Sequence, residues 1–245
     1  MIIKQLASGS KGNVTLVITK KHNILIDAGL PLKKINERLE KGLPSIDMIL
    51  ITHTHDDHIK GLKSYIKEYN PKIYTKTKEL VKKIDYENII YDDFEEDNLS
   101  IKFFPLSHDT PCSGIIIKED DKELVYITDT GYINNKTLEK LINKDIYIME
   151  SNHDVEKLRN GKYPFFLQQR ILGDRGHLSN ETASKYLLKL VGDNTKTIVL
   201  AHLSEENNTE DLALSTINNI FNKENKKISK LYIAKQDEAL EKIEV

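Results

Sequence analysis

Thr52-His53-Thr54-His55-Asp56-Asp57-His58 sets three histidines and two aspartates in seven consecutive positions, directly after the apolar run 46–51. That run, Ile46-Asp47-Met48-Ile49-Leu50-Ile51, predicts a strand over 47–52. In extended chain His53 and His55 project the same way, and imidazole is a favoured ligand for zinc and its neighbours. Asp57 and His58 fall where the chain has to turn into a helix, which aims them at a second point. One short loop is thereby expected to serve two adjacent metal ions. A polar surface cluster has no need of this HxHxDH spacing at a strand end.

Four more segments have the same form, an apolar strand closed by a ligand-type residue. They are FFPLSHD with His108, LVYITDTG with Asp129, YIMESNHD with Glu150 and TIVLAHLS with His202. A lone histidine at a strand end is usually structural, but residues at several strand ends converge on one edge of a sheet. Five such ends point to a site assembled from distant parts of the chain.

Around these segments the pattern predicts further strands over 2–6, 14–19, 24–27, 72–75, 100–106, 113–118, 123–128, 145–150, 197–201 and 230–234. Helices are expected after Gly29, with Leu32, Ile35 and Leu39 on one face, and after the histidine cluster, with Ile59, Leu62, Tyr65 and Ile66 buried. Others are expected over 79–84, 179–191 and 209–222. The acidic stretch 85–98 reads as a solvated connection. No repeat, low-complexity segment or linker divides the 245 residues, so 1–245 is expected to be a single domain of two sheets covered outside by helices.

With 39% hydrophobic and 30% charged residues the composition is globular, and a net charge of −2 supplies no global field that would draw in nucleic acid. Any such binding has to be local. The one cysteine, Cys112, has no internal partner and suits a reducing compartment. No run approaches the ~20 apolar residues of a membrane span, and the start lacks a signal peptide, so a soluble cytoplasmic protein is expected.

The order HxHxDH, His108, Asp129, His202, preceded by a strand ending in Asp27-Ala28-Gly29, resembles the metallo-β-lactamase-fold hydrolases. The resemblance implies an α+β fold, an αββα sandwich of two mixed β-sheets flanked by helices, with a binuclear site. It assigns His53, His55 and His108 to one ion and Asp57, His58 and His202 to the other. Asp129 bridges them, and Asp27 supports the loop. β-Lactamases of this fold carry a cysteine ligand or lack the bridging aspartate; Asp129 matches the hydrolase and nuclease branches, and Cys112 is read as a bystander thiol. Oxygen-reducing di-iron relatives replace the second loop histidine by glutamate, so His55 argues against them.

The segment DRGHLSNETASKYL is similar to a motif of ribonuclease Z and related phosphodiesterases, in which a histidine contacts the scissile phosphate and is paired with a strand-end glutamate. The matching positions are His177 and Glu150, beside Asp57 as the group that takes the water proton. A histidine held by a carboxylate stays protonated near neutral pH and can stabilise an oxyanion or protonate a leaving group. Together with SGSKGN and ESNHD, these motifs are similar to the YycJ/WalJ-like bacterial branch, whose members are described as DNA exonucleases or left as hydrolases of unassigned substrate. The chain has no room for a β-CASP domain and no evident tRNA-gripping arm. DNA is therefore expected as substrate ahead of structured RNA.

The resemblance implies two divalent ions per chain, zinc first, with manganese or iron suiting the same N/O donors. Three of the four arginines, Arg159, Arg170 and Arg175, precede His177 beside Lys157, Lys162, Tyr163, Phe165 and Phe166. Arg170 and Arg175 are candidate phosphate contacts, and exposed aromatics can stack on unpaired bases. Alternatively Phe165, Phe166, Ile171 and Leu172 form the buried face of a short helix. In SGSKGN, Ser10, Lys11 and Asn13 offer donors to a substrate, or the segment is a plain hairpin turn. Asn152 and His153 either line the same cleft or cap a helix. The rival functions are a same-fold hydrolase of a small ester, thioester or cyclic phosphodiester, and a non-catalytic metal-binding regulatory protein.

Overall fold

Met48-Ile49-Leu50-Ile51 is apolar at every position because both faces of its strand are covered. Met48 and Leu50 lie between two sheets with Ile24, Ile26, Ile115, Ile117, Tyr126 and Ile148. Ile49 and Ile51, on the opposite face, pack with Ile35, Leu62 and Tyr65. Each such buried aliphatic side chain contributes about 1.5–3 kcal/mol.

The computed structural model describes residues 1–245. Its strands in chain order are β1 (Ile2–Ala7), β2 (Val14–Ile18), β3 (Asn23–Ile26), β4 (Met48–Ile51), β5 (Lys72–Thr75), β6 (Ile89–Ile90), β7 (Phe94–Glu96), β8 (Leu99–Leu106), β9 (Cys112–Glu119), β10 (Lys122–Ile127), β11 (Ile146–Glu150), β12 (Thr197–Ala201), β13 (Lys230–Ile233) and β14 (Ile243–Glu244). The helices are α1 (Leu32–Asn36), α2 (Asp56–Ile59), α3 (Leu62–Tyr69), α4 (Asn135–Lys140), α5 (Val155–Arg159), α6 (Phe165–Leu172), α7 (Asn180–Leu190) and α8 (Glu210–Lys223). Two seven-stranded mixed sheets result, in the orders β14-β1-β2-β3-β4-β5-β6 and β13-β12-β11-β10-β9-β8-β7. Val125, Ile127, Tyr147 and Met149 on the outer face of the second sheet are covered by Leu138, Leu187, Ile217 and Phe221 from α4, α7 and α8. The expected αββα sandwich is the observed fold.

Two sequence expectations differ from the structure in detail, and one strand pairing was not anticipated. The acidic stretch 85–98 carries β6 and β7, the last strand of one sheet and the edge of the other, so it is the crossing between layers. Short edge strands carry too few apolar residues to stand out among charges. The helix expected over 79–84 is a 3₁₀ turn at Lys78–Lys82. β14 pairs with β1 through Ile3 and Ile243, a contact between chain termini that no local pattern signals.

The sheets bring the polar strand ends together. β3, β4 and β5 run parallel, as do β10, β11, β12 and β13, and β8 runs the same way as β10 because each is antiparallel to β9. Asp27, His53, His108, Asp129, Glu150 and His202 therefore all sit at carboxyl ends on one side of the sandwich. Asp27 (φ 59°) and His202 (φ 54°) directly after β3 and β12, and Asp129 (φ 59°) two residues after the end of β10, adopt the left-handed backbone conformation. For a non-glycine residue this costs about 1–2 kcal/mol. Five other non-glycine residues share this conformation, all Asn or Asp outside the site, whereas these three recur at strand ends that carry the ligand-type residues.

Candidate metal centre

The loop that follows β4 is held by its neighbours. Asp27, fully buried, accepts from Thr52 N (2.9 Å) and Thr52 Oγ1 (3.0 Å) and from His58 Nδ1 (2.7 Å), which turns His58 Nε2 toward the centre. Asn13 N donates to Asp57 O (2.8 Å), Ala28 N to His58 O (2.8 Å) and Gly29 N to Asn13 O (3.0 Å), locking three loops together. Gly29 is required here, since a Cβ would stand 1.7 Å from Asp57 O. His55 ends the extended segment, and Asp57 and His58 occupy the first turn of α2. The change of backbone conformation separates the aims of the two ligand pairs.

Four overlapping groups of ligand atoms result, each within 4.8 Å: His53, His55, His108; Asp57, His58, His202; His53, His58, Asp129; and Asp129, Glu150, His177, His202. The first two are histidine-rich sets, and Asp129 shares a group with His53 of the first and with His58 and His202 of the second. His53 Nε2, Asp129 Oδ2 and His202 Nε2 are buried without a hydrogen-bond partner. Buried polar atoms are nearly always satisfied, so three orphans converging in one centre fit a cation as their missing partner. The donors are all nitrogen and oxygen, which suits zinc and other borderline divalent ions. The His108 Nδ1 lies 3.2 Å from Gly176 O, leaving Nε2 on the centre side.

Cys112 Sγ is 3.7 Å from His53 Nδ1 and joins none of the four groups. Burial pushes its thiol well above the ordinary range, so it stays protonated and acts as a small apolar filler.

At the rear of the centre Glu150, fully buried, gathers five donors. Oε1 accepts from Leu178 N (2.8 Å) and Thr130 N (3.4 Å), and Oε2 from His177 Nδ1 (2.8 Å), His202 Nδ1 (2.9 Å) and Asp129 N (3.2 Å). Burial by itself would raise this carboxyl; the charge and hydrogen bonds of His177 and His202 outweigh it and bring it down to about 2. Burial likewise opposes charge on His177, and the Glu150 carboxylate overcomes that, holding the imidazolium above its ordinary range. His177 lies just before α7, whose first turn is capped by Ser179 accepting from Thr182 N. The ring is thus fixed between a capped helix and a buried carboxylate.

The profile of the metallo-beta-lactamase superfamily matches residues 7–202. The chain belongs to the metallo-β-lactamase superfamily. It is 39% identical over 230 residues to the exodeoxyribonuclease WalJ of Streptococcus pneumoniae, covering 87% of this chain and 86% of that one. It is 34% identical over 230 residues to the exodeoxyribonuclease YycJ of Bacillus anthracis, covering 88% and 87% respectively. Among solved structures, the metallo-beta-lactamase fold protein YhfI of Bacillus subtilis superposes with a TM-score of 0.71 at 16% identity, covering 98% of this chain and all 100% of that one.

A cavity of about 190 Å³ opens beside His108 and His177, lined also by Ser10, Asn152, Arg170 and Arg175. His108, Asp109 and Arg175 also line a second cavity of about 460 Å³ that includes Tyr132 and Asn134. Ser10, Arg170 and Arg175 thus line the cavity that also contains His108 and His177. Lys11 is not among the residues lining this cavity, and its amino group pairs with Glu205 at 2.7 Å. Asn13 is fully buried, its amide 3.0 Å from His58 Nε2 and 3.3 Å from Asp57 Oδ2, so it holds the loop rather than facing solvent. His153 does not line the cleft; it is buried with both ring nitrogens unpartnered, and burial lowers it to about 4.

The sequence reading missed Asp109. Its Oδ1 lies 3.1 Å from His55 Nε2, and its Oδ2 accepts from both Nε and Nη2 of Arg170, tying α6 to the histidine loop. Its only sequence signal was its position immediately after the strand-end His108. α6 also differs from the buried-face alternative, because none of its residues is buried.

Proposed function

We propose that this protein is a two-metal phosphodiester hydrolase that degrades DNA from an end. The observation that carries the reading is the pair of histidine-rich ligand groups, Asp129 being grouped with members of both, with the His177–Glu150 pair at the edge of the same cavity. The two curated relatives named as exodeoxyribonucleases support DNA as the substrate.

In this reading His53, His55 and His108 would hold one ion, Asp57, His58 and His202 the other, with Asp129 a ligand available to both. Bound there, divalent ions, zinc by preference, would supply Lewis acidity toward a water and charge neutralisation toward the phosphate. Asp57 orients the attacking water and takes its proton. Its carboxyl lies low: burial would raise it, but the His58 and His202 rings bring it below the ordinary range. Arg170, Arg175 and Ser10 orient the phosphate from the cavity wall. His177, kept protonated by Glu150, donates to the leaving oxygen or to the developing oxyanion. No helix is long and apolar enough to cross a membrane, and a lone buried thiol is compatible with the reducing cytoplasm.

End-labelled single- and double-stranded DNA and RNA, incubated with protein reconstituted separately with zinc and manganese, test this. Progressive shortening of DNA from one labelled end is expected. A fully metallated protein that degrades none of the four, yet hydrolyses a thioester or lactone, overturns the assignment.

A further inference from the structure

We propose that Phe165 and Phe166, at the start of α6, form a stacking platform for unpaired bases at the end of the strand entering the cleft. The proposal rests on the nucleic-acid reading above and adds the form of substrate end that the protein grips.

Phe165 and Phe166 are 74% and 73% exposed, adjacent, and project from an eight-residue helix with no buried residue. The other large exposed apolar side chains, Val81, Tyr132 and Ile142, are not adjacent in sequence, and scattered single residues of that kind are ordinary on a surface. α6 is nonetheless firmly placed. Pro164 sets its first turn, Asp109 holds Arg170, and Leu167, Arg170 and Ile171 line the catalytic cavity. Phe166 stands four residues before Arg170, on the same face and roughly 6 Å along the helix axis. The rings are therefore held beside the catalytic cavity, with nothing of this chain covering them.

The surrounding charge selects the occupant. Segment 157–175 carries Lys157, Arg159, Lys162, Arg170 and Arg175 against the single acid Asp174, in a chain whose net charge is −2. Arg159, Lys162 and Arg175 are exposed and form no ion pair, whereas Lys157 donates to Asn208 O (2.9 Å). Free cations in the same segment as two open aromatic faces are the combination that binds single-stranded nucleic acid, cations on the phosphates and rings on the bases. Away from its ends a duplex covers both faces of every base with neighbouring pairs, so an unpaired strand offers far more open faces.

The test compares binding of the holoenzyme to three hydrolysis-resistant phosphorothioate DNAs of one length: a single strand with bases, an abasic strand and a blunt duplex. The wild type should bind the strand with bases at least tenfold tighter than the abasic strand, and the difference should persist as salt is raised, because stacking releases no counterions. The double variant Phe165→Ala/Phe166→Ala should bind the two single strands alike. Phe165→Leu/Phe166→Leu keeps apolar surface but lacks aromatic faces and should also lose the preference. A wild type that does not distinguish the strands, or an alanine variant that retains the preference, overturns the platform while leaving the hydrolase reading standing. If the variant changes the sedimentation mass and keeps the preference, the rings are an interface between copies and the proposal falls. If no DNA binds the wild type and bis-p-nitrophenyl phosphate is not hydrolysed, the underlying hydrolase reading fails with it.

Discussion

Replacing Glu150 by glutamine perturbs the centre where its hydrogen bonds meet. Glutamine keeps one acceptor oxygen and turns the other into an amide donor. The less damaging orientation leaves the oxygen with His177, His202 and Asp129 N, so the amide faces Leu178 N and Thr130 N, at 2.8 and 3.4 Å in the wild type. An unsatisfied buried donor costs about 1–3 kcal/mol, and the longer contact counts for less, so about 3 kcal/mol is expected in all. For a chain of this size that lowers Tm by roughly 6–12 °C, readable by circular dichroism. The difference should also depend on pH. The folded-state carboxyl is depressed from 4.5 to about 2, so its stabilisation is complete above 4.5 and is lost as pH falls toward 2. The Tm gap between wild type and Glu150→Gln should therefore close over that window. On the alkaline side, His177 is raised by Glu150 against the effect of burial, so its acid form is lost as pH rises through that raised value. In the variant the alkaline limb of kcat/KM should move to lower pH. Unchanged Tm together with an unchanged pH profile would refute the reasoning that Glu150 organises this centre.

Three further outcomes follow from the same geometry. Asp56 is exposed at the start of α2 and belongs to none of the ligand groups, whereas Asp57 Oδ2 lies 3.4 Å from His58 Nε2 and 3.5 Å from His202 Nε2; Asp56→Asn should cost under ~1 kcal/mol and leave turnover intact, while Asp57→Asn abolishes it, and equal effects would mean the loop is misread. His177→Ala should retain both ions by elemental analysis and slow hydrolysis by roughly 10²–10⁴-fold, and loss of metal would move His177 from proton donor to ligand. Chelation should lower Tm, and zinc added back at about a thousandfold excess over its Kd should restore about 4 kcal/mol; a Tm indifferent to chelation contradicts a cation satisfying His53, Asp129 and His202.

Much of the centre was legible because it is built from strand ends. An apolar run stopped by histidine or aspartate is a local signal, and it marked His53, His108, Asp129, Glu150 and His202 one by one. What lies beyond local pattern was harder to read. Asn13 looked like a surface donor in a glycine turn, but the packing of β1, β2 and the α2 loop turns it inward onto His58. Asp109 looked like the residue after a ligand; only the position of α6 makes it a link between Arg170 and His55. β6 and β7 were hidden because one or two apolar residues apiece among acids carry no period.

By itself the sequence determined the kinds of ligand, their order along the chain and the strands that carry them, because side-chain chemistry and apolar periodicity are local properties. Only the tertiary structure decided which ligands share a point in space, since that depends on parallel strands joining residues from 27 to 202 at one edge. It also decided that α6 leaves Phe165 and Phe166 uncovered. Helical spacing shows that a segment has an apolar side, and whether that side finds a partner depends on what the rest of the chain places against it.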